Sequence, residues 1–206
     1  MDKLMALLMR ESNQAPLHQL TKMGGKPLAP SNTQWVSCSV CGGWMQFIGQ
    51  IDLEETAIKE VSERKQLLLI FMCTNNPGGC DEWDADLGGN AAILVSKTNQ
   101  TSLEAPCDKE EFLLEETLLT LDECDDSAYT YCQILNQPQN QVCGKIGGEP
   151  VWIQADETPI CTCGARMTFI FQLQYSAEIQ FGDAGSGYGF VCLVCQQRAK
   201  FLWQCC

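Results

Sequence analysis

The chain has 206 residues, 26 of them acidic and 13 basic, for a formal net charge of −13, a balance that repels nucleic acid because such binding depends on neutralising phosphates. With 45% hydrophobic residues and no apolar run near the roughly 18 residues of a membrane span, it reads as a globular protein able to bury a core without staples. The expected compartment is the cytoplasm, where the paired thiols among its 14 cysteines are more suited to holding metal than to disulfides.

The opening MDKLMALLMR is a poor secretory signal: its apolar stretch is about six residues, an acid precedes it and no small-residue cleavage site follows. It reads as the first turns of an amphipathic helix. His18 follows, the single histidine of the chain, so a Ser–His or Cys–His arrangement could use only that residue. Residues 22–27, KMGGKP, are turn chemistry, with glycines free to take positive φ and proline barring a helix. Residues 38–51, CSVCGGWMQFIGQI, join a pair of thiols at zinc-ligand spacing to a short apolar run that predicts a strand. LLLIFMC (67–73) and AAILVS (91–96) predict further strands. KEEFLLEETLLTLDE (109–123) has apolar residues at Phe112, Leu113, Leu118, Leu119 and Leu121, an imperfect helical stripe with acids outside.

Between Asp52 and Asp126 lie 19 acidic and 5 basic residues, so the middle of the chain carries the whole excess of charge. Its densest runs supply candidate contacts for a basic partner: Asp81, Glu82, Asp84 and Asp86 in DEWDAD, with Trp83 as an aromatic anchor, and Asp122, Glu123, Asp125 and Asp126 in DECDD.

The second part of the chain repeats the first. KIGGEP (145–150) answers KMGGKP, 123 positions later, and CTCGARMTFIFQL (161–173) answers CSVCGGWMQFIGQI. Met45, Phe47 and Gln50 match Met167, Phe169 and Gln172 at an offset of 122, and GYGFVC (187–192) answers LLLIFMC. Four features in one order indicate duplication. The expected fold is therefore α+β, richer in strand than helix, with two similar halves about a pseudo-two-fold. The first half spans 1–135, with the N-terminal helix and an acidic insertion. The second spans 142–206, after a linker in NQPQNQ (136–141), and the halves pack as one compact domain.

Each half then offers two thiols near the start of one strand and two near the end of another, enough for a tetrahedral four-thiolate zinc site. The expected ligands are Cys38, Cys41, Cys73 and Cys80 in the first, and Cys161, Cys163, Cys192 and Cys195 in the second. The alternative pairs Cys38 and Cys41 with Cys192 and Cys195 across the halves. Four thiolates close the coordination shell, so such a zinc is structural. Cys107, Cys124, Cys132, Cys143, Cys205 and Cys206 have no evident pairing. GDAGSGYG (182–189) fits neither dinucleotide nor P-loop spacing, and reads as a tight loop entering a strand, with Asp183 bonding the loop's own backbone.

GG-x-P, a strand ending in Gln, GDAGSGYGF and a final FLWQC, in that order, resemble the YwqG-like family of bacterial proteins. CDEWDADLGGNAAILV (80–95) is similar to the central region of that family, and the likeness runs from Leu20 to Cys205. The resemblance implies an internally duplicated α+β fold. It brings no agreed activity or catalytic residues, and it implies a relation to immunity proteins encoded beside secreted toxins. A fainter likeness, in KIGGEPVWIQ and CTCGARMTFIFQL, is to programmed cell death protein 2 and its relatives, chaperones of a ribosomal protein. The expected function is non-enzymatic: neutralising a basic toxin, with a zinc-containing ribosomal-protein chaperone or an enzyme using the Gly-rich loop or exposed thiols as alternatives.

Overall fold

A computed structural model describes residues 5–12, 19–106, 112–125, 128–136, 141–174 and 179–206. Its strands are β1 (Met5–Glu11), β2 (Lys22–Met23), β3 (Leu28–Pro30), β4 (Gln46–Asp52), β5 (Gln66–Met72), β6 (Asn90–Ser96), β7 (Gln100–Ser102), β8 (Thr117–Asp125), β9 (Val142–Gly147), β10 (Thr168–Gln174), β11 (Ser186–Val191) and β12 (Ala199–Gln204). The helical elements among the described residues include α1 (Lys59–Ser62), α2 (Ala128–Leu135) and a 3₁₀ turn at Leu53–Glu55. Ten strands form one antiparallel sheet in the order β12-β11-β10-β9-β1-β8-β2-β4-β5-β6, and β3 pairs with β7 apart from it. The outer strands β12 and β6 pack together, and the Trp203 N–H donates to Trp83 O at 3.1 Å. The sheet is thereby curled into a nearly closed barrel, which leaves few edges exposed.

The architecture is essentially all-β, not the α+β expected. The N-terminal segment read as a helix is β1, at the centre of the sheet between β8 and β9. Its Met, Leu and Ala residues favour helix locally, but pairing on both sides overrides that propensity. The second expected helix is also a strand over its C-terminal part, β8. Its helical spacing joined two unrelated contacts: Phe112 and Leu113 pack beside Trp35, whereas Leu119 and Leu121 face the barrel interior. His18, Cys107, residues 109–111 of that expected helix and residues 137–140 of the expected linker lie outside the described residues.

The duplication is visible in the register. β2-β4-β5-β6 and β9-β10-β11-β12 flank a central β1–β8 pair. Leu8 of β1 lies opposite Lys145 of β9, as Leu118 of β8 lies opposite Lys22 of β2. Leu8 and Leu118 are therefore equivalent, and the β1–β8 pairing places the pseudo-two-fold at Arg10–Thr120. Each unit's leading strand thus pairs with the other unit's Lys-x-Gly-Gly strand. The same bulge recurs, between Phe47 and Gly49 against β5 and between Phe169 and Phe171 against β11.

Among the described residues three apolar clusters reflect this arrangement, beside a small one at Leu8, Tyr131 and Val142. The barrel interior mixes both halves, including Met9, Ile48, Leu68, Ile70, Phe171, Phe181 and Phe201. Outside it lie two matching satellites, one with Met45, Phe47, Leu69 and Phe71, the other with Met167, Phe169, Tyr188 and Phe190. β5 is buried on both faces, which is why LLLIFM shows no polar alternation. Side-chain size is exchanged between the halves inside the barrel. The row Gly49–Ile70–Ala92 is matched by Phe171–Gly189–Phe201. A Cβ on Gly189 would lie 1.8 Å from a ring carbon of Phe171, so the Gly-rich run makes room for phenylalanine rings.

The Gln at the end of each repeated strand has a defined task. Gln50 Oε1 accepts from Leu28 N (2.9 Å) and its Nε2 donates to Leu20 O (2.7 Å). Gln172 Oε1 accepts from Val151 N (2.9 Å) and Nε2 donates to Val151 O (3.3 Å). Both amides are buried, and each ties the segment after Lys-x-Gly-Gly to the sheet.

Candidate metal centres

The first thiol pair of each half sits on a small hairpin. Ser37 bridges Trp44 in one, Ile160 bridges Arg166 in the other. Cys38 N donates to Gly43 O (2.8 Å) and Gly42 N returns to Cys38 O (2.9 Å); Cys161 N donates to Ala165 O (2.8 Å) and Gly164 N to Cys161 O (2.8 Å). Gly42 and Gly164 take φ of 73° and 86°, left-handed positions that glycine occupies without a steric penalty. The second hairpin is one residue shorter, Cys-x-Cys against Cys-x-x-Cys, which accounts for the shift of offset from 123 to 122.

The other arm follows β5 or β11. Cys73 N donates to Gly89 O (2.8 Å) and Cys192 N to Arg198 O (2.9 Å), equivalent bonds to the strand beyond. The sulfurs of Cys38, Cys41, Cys73 and Cys80 all lie within 4.8 Å of one another, as do those of Cys161, Cys163, Cys192 and Cys195. Each tetrad draws on one half alone, and the cross-half pairing does not occur. Nearest sulfur separations are 3.7 Å (Cys41–Cys73), 3.6 Å (Cys161–Cys195) and 3.6 Å (Cys163–Cys192). A disulfide would need about 2.05 Å, whereas the edge of a tetrahedron with metal–sulfur bonds of about 2.3 Å is about 3.8 Å. The two tetrads can therefore hold a metal ion each, in a donor set compatible with zinc.

The backbone supports thiolates at both sites. Chiefly through the Gly43 N–H, the Cys41 thiol is lowered to about 7. The N–H groups of Cys195 and then Val194 help lower Cys192 to about 6. Cys80, by contrast, is pushed up by burial. Asn75 Nδ2 donates to Cys73 Sγ (3.4 Å). Beside the second tetrad, Arg64 Nη1 donates to Cys192 O (3.4 Å), bringing a cation from the first half to a thiolate site of the second. Among the described residues no other cysteines gather into such a group. Cys143 donates to Met9 O (3.4 Å) and burial pushes it up to about 12; Cys124 and Cys205 are half-buried, and Cys132 and Cys206 exposed.

The acidic runs are not brought together. Residues 122–125 of DECDD belong to β8 at mid-sheet, and DEWDAD lies beside the β6–β12 closure. Asp122 pairs with Arg10 (3.0 Å), Glu123 is exposed, and the Asp125 side chain and Asp126 lie outside the described residues. DEWDAD is partly structural. Glu82 is only 5% exposed and accepts from Gly78 N (2.6 Å), so its carboxyl is held inward rather than on the open surface. Asp84 accepts from Asp86 N and Leu87 N (2.7 and 3.1 Å), and Asp86 pairs with Lys200 of β12 (2.5 Å). Asp81 is half-buried with φ of 51°. Trp83 is 39% exposed, its ring edge-on to Trp203 at 6.3 Å.

Two features escaped the sequence reading. Glu11, Glu115 and Glu116 line an acidic groove of about 580 Å³ along the β1–β8 seam; its signal was only the acidity of residues assigned to a helix. A second cavity, of about 450 Å³, opens between Cys73, Glu82, Trp83, Gly182 and Trp203, residues that only the barrel closure brings together. Asp183 is exposed in the Gly-rich loop.

The chain belongs to the family defined by a domain of unknown function, DUF1963, which matches residues 21–193; members of the YwqG-like family carry this domain. It is also 40% identical over 58 residues to "Uncharacterized protein YpfL" of Salmonella typhimurium (strain LT2), a match that covers 27% of this chain and 13% of that relative's length. No helix among the described residues is long and apolar enough to cross a membrane.

Proposed function

We propose that this chain is a non-enzymatic cytoplasmic binding protein, held in shape by two structural zinc ions, which grips a basic protein through its acidic surface. The observation that carries this reading is the uncompensated charge. Of 26 acids against 13 bases, the bases Arg10, Lys22, Lys26, Lys59, Lys97, Arg166 and Lys200 are already engaged in ion pairs. Lys22 engages Glu116 in the groove, and Glu11, Glu115 and the exposed Glu123 therefore present the carboxylates in excess. Such a field speeds encounter with a basic partner. Four thiolates leave no position for a reactive water, so the zinc sites suit a scaffold rather than catalysis.

The partner class proposed is a basic toxin, a nuclease for example, which the chain neutralises by covering a surface built for phosphates. The YwqG-like relation supports that choice. The test is capture of partners from cells that make the protein, repeated at rising salt, with Glu115→Gln/Glu116→Gln/Glu123→Gln alongside. A basic toxin, released by salt and lost in the triple variant, is the expected result. Capture of ribosomal proteins would move the reading to a chaperone, and a partner held equally at high salt would overturn the electrostatic account.

A further inference from the structure

The cavity at the barrel closure contains two polar atoms with no partner. Glu82 Oε1 is engaged by Gly78 N (2.6 Å), but Glu82 Oε2 is buried and has no hydrogen bond, and the Nε1–H of Trp203 is likewise buried and unpartnered. Both residues line the same space of about 450 Å³, whose other walls include Ile48, Met72, Pro77 and Trp83. A buried carboxylate oxygen and a buried indole N–H left unpaired each carry a desolvation penalty, so a ligand that satisfies both gains at both. The required ligand has a cationic donor for Glu82, an acceptor for Trp203 and an apolar stem for the walls. Two indole rings beside the carboxylate add the electron-rich faces that attract ammonium and guanidinium groups.

We infer that this cavity receives a basic side chain, arginine or lysine, of a protein partner, its charged head on Glu82 and a main-chain carbonyl on Trp203 Nε1. The inference rests on the basic-partner reading and supplies its anchor point. It also gives DEWDAD a role: the segment that clasps β12 through Asp86 and Lys200 is the wall that carries Glu82 and Trp83.

The probe is the blocked peptide acetyl-Gly-Arg-Gly-amide, with its norleucine counterpart and free L-argininamide as comparisons, titrated into the zinc-loaded protein and followed by tryptophan fluorescence and crystallography. The arginine peptide should bind saturably, at least about tenfold tighter than the norleucine peptide. Glu82→Gln keeps an oxygen for Gly78 and should weaken the arginine peptide about tenfold with the thermal transition unchanged. Trp203→Phe should weaken it about threefold. Equal binding of both peptides, no binding up to about 10 mM, or an unchanged affinity in Glu82→Gln overturns the inference. Argininamide binding as tightly as the peptide would reassign the cavity to a small molecule. Partner capture that survives Glu82→Gln but fails in the Glu115/Glu116/Glu123 variant removes the pocket and leaves the acidic-surface reading standing; the opposite pattern removes that surface.

Discussion

The tetrad at Cys38 and the tetrad at Cys161 share their hairpin hydrogen bonds residue for residue, yet their second arms differ. Six residues separate Cys73 from Cys80, and two separate Cys192 from Cys195. Beyond Cys80 a further segment, DEWDADLGG, runs on before β6 begins, while Cys195 is followed almost at once by β12. The longer arm is what reaches the other half: Trp83 meets Trp203 and Asp86 meets Lys200. One copy of a duplicated scaffold has kept a compact site. The other has extended its site into the seam of the barrel, where the cavity forms. The same division of labour appears in the interior, where aliphatic β5 packs against small neighbours and glycine-bearing β11 packs against large ones.

That comparison can be broken first at the thiols. Loss of a structural metal belongs among the largest single-site effects, and Cys73→Ser is expected to cost on the order of 4 kcal/mol or more, measured by chemical denaturation. Cys192→Ser should cost less, because its arm meets the first half through the Arg64–Cys192 O bond but extends no segment across the seam. Metal release should show the opposite order. Two sulfurs of the second tetrad, Cys163 and Cys195, are exposed or half-buried, against only Cys41 in the first. A chelator with a coloured indicator should therefore empty the second site faster.

The exchange of side-chain size gives the next effect. Gly189→Ala drives a methyl into Phe171 and is expected to destabilise by roughly 3 kcal/mol. Phe171→Leu should restore part of that loss in a double-mutant cycle, and additivity of the two changes would refute the packing account. Gln50→Leu and Gln172→Leu should each cost about 2 kcal/mol, since each leaves a part-buried backbone N–H, of Leu28 or Val151, unpaired. Unequal costs would show that the two braces are not equivalent.

The smallest effect is electrostatic and confined to the first half. Burial lifts the Glu55 carboxyl to about 7 from an ordinary value of 4.5. Between those values the folded chain binds more protons than the unfolded chain, so this group subtracts stability as pH rises through that window. Glu55→Gln should leave stability at pH 4 unchanged and raise it by about 1–2 kcal/mol at pH 8. A gain at pH 4 equal to that at pH 8 would contradict the assignment.

Much of this was legible in the chain because the repeats cross-check each other. The thiols, the Lys-x-Gly-Gly turns and the Gln residues recur in order; the thiol hairpins keep equivalent backbone bonds and each Gln Oε1 accepts from the backbone N–H after the turn, while the Gln Nε2 partners differ. Continuous apolar runs such as LLLIFM were readable as strands because both faces are buried. The central strands were not, since MALLMRE and TLLTLDECD carry helix formers and their partners lie more than a hundred residues away. No local pattern announces pairing on both sides. Nor could residue types alone place Glu82 inside a cavity: its burial depends on Gly78 and on closure of the barrel by Trp203. The Gly–Phe exchange needs the register to be seen at all.

In the proposed scaffold, two matching closed thiolate sites hold the two halves in shape. Native mass spectrometry of freshly purified protein tests it most directly. The account predicts two zinc ions per chain, falling to one in Cys73→Ser and to one in Cys192→Ser. A cooperatively folded chain that carries no zinc, with all eight tetrad thiols open to alkylation, would contradict it.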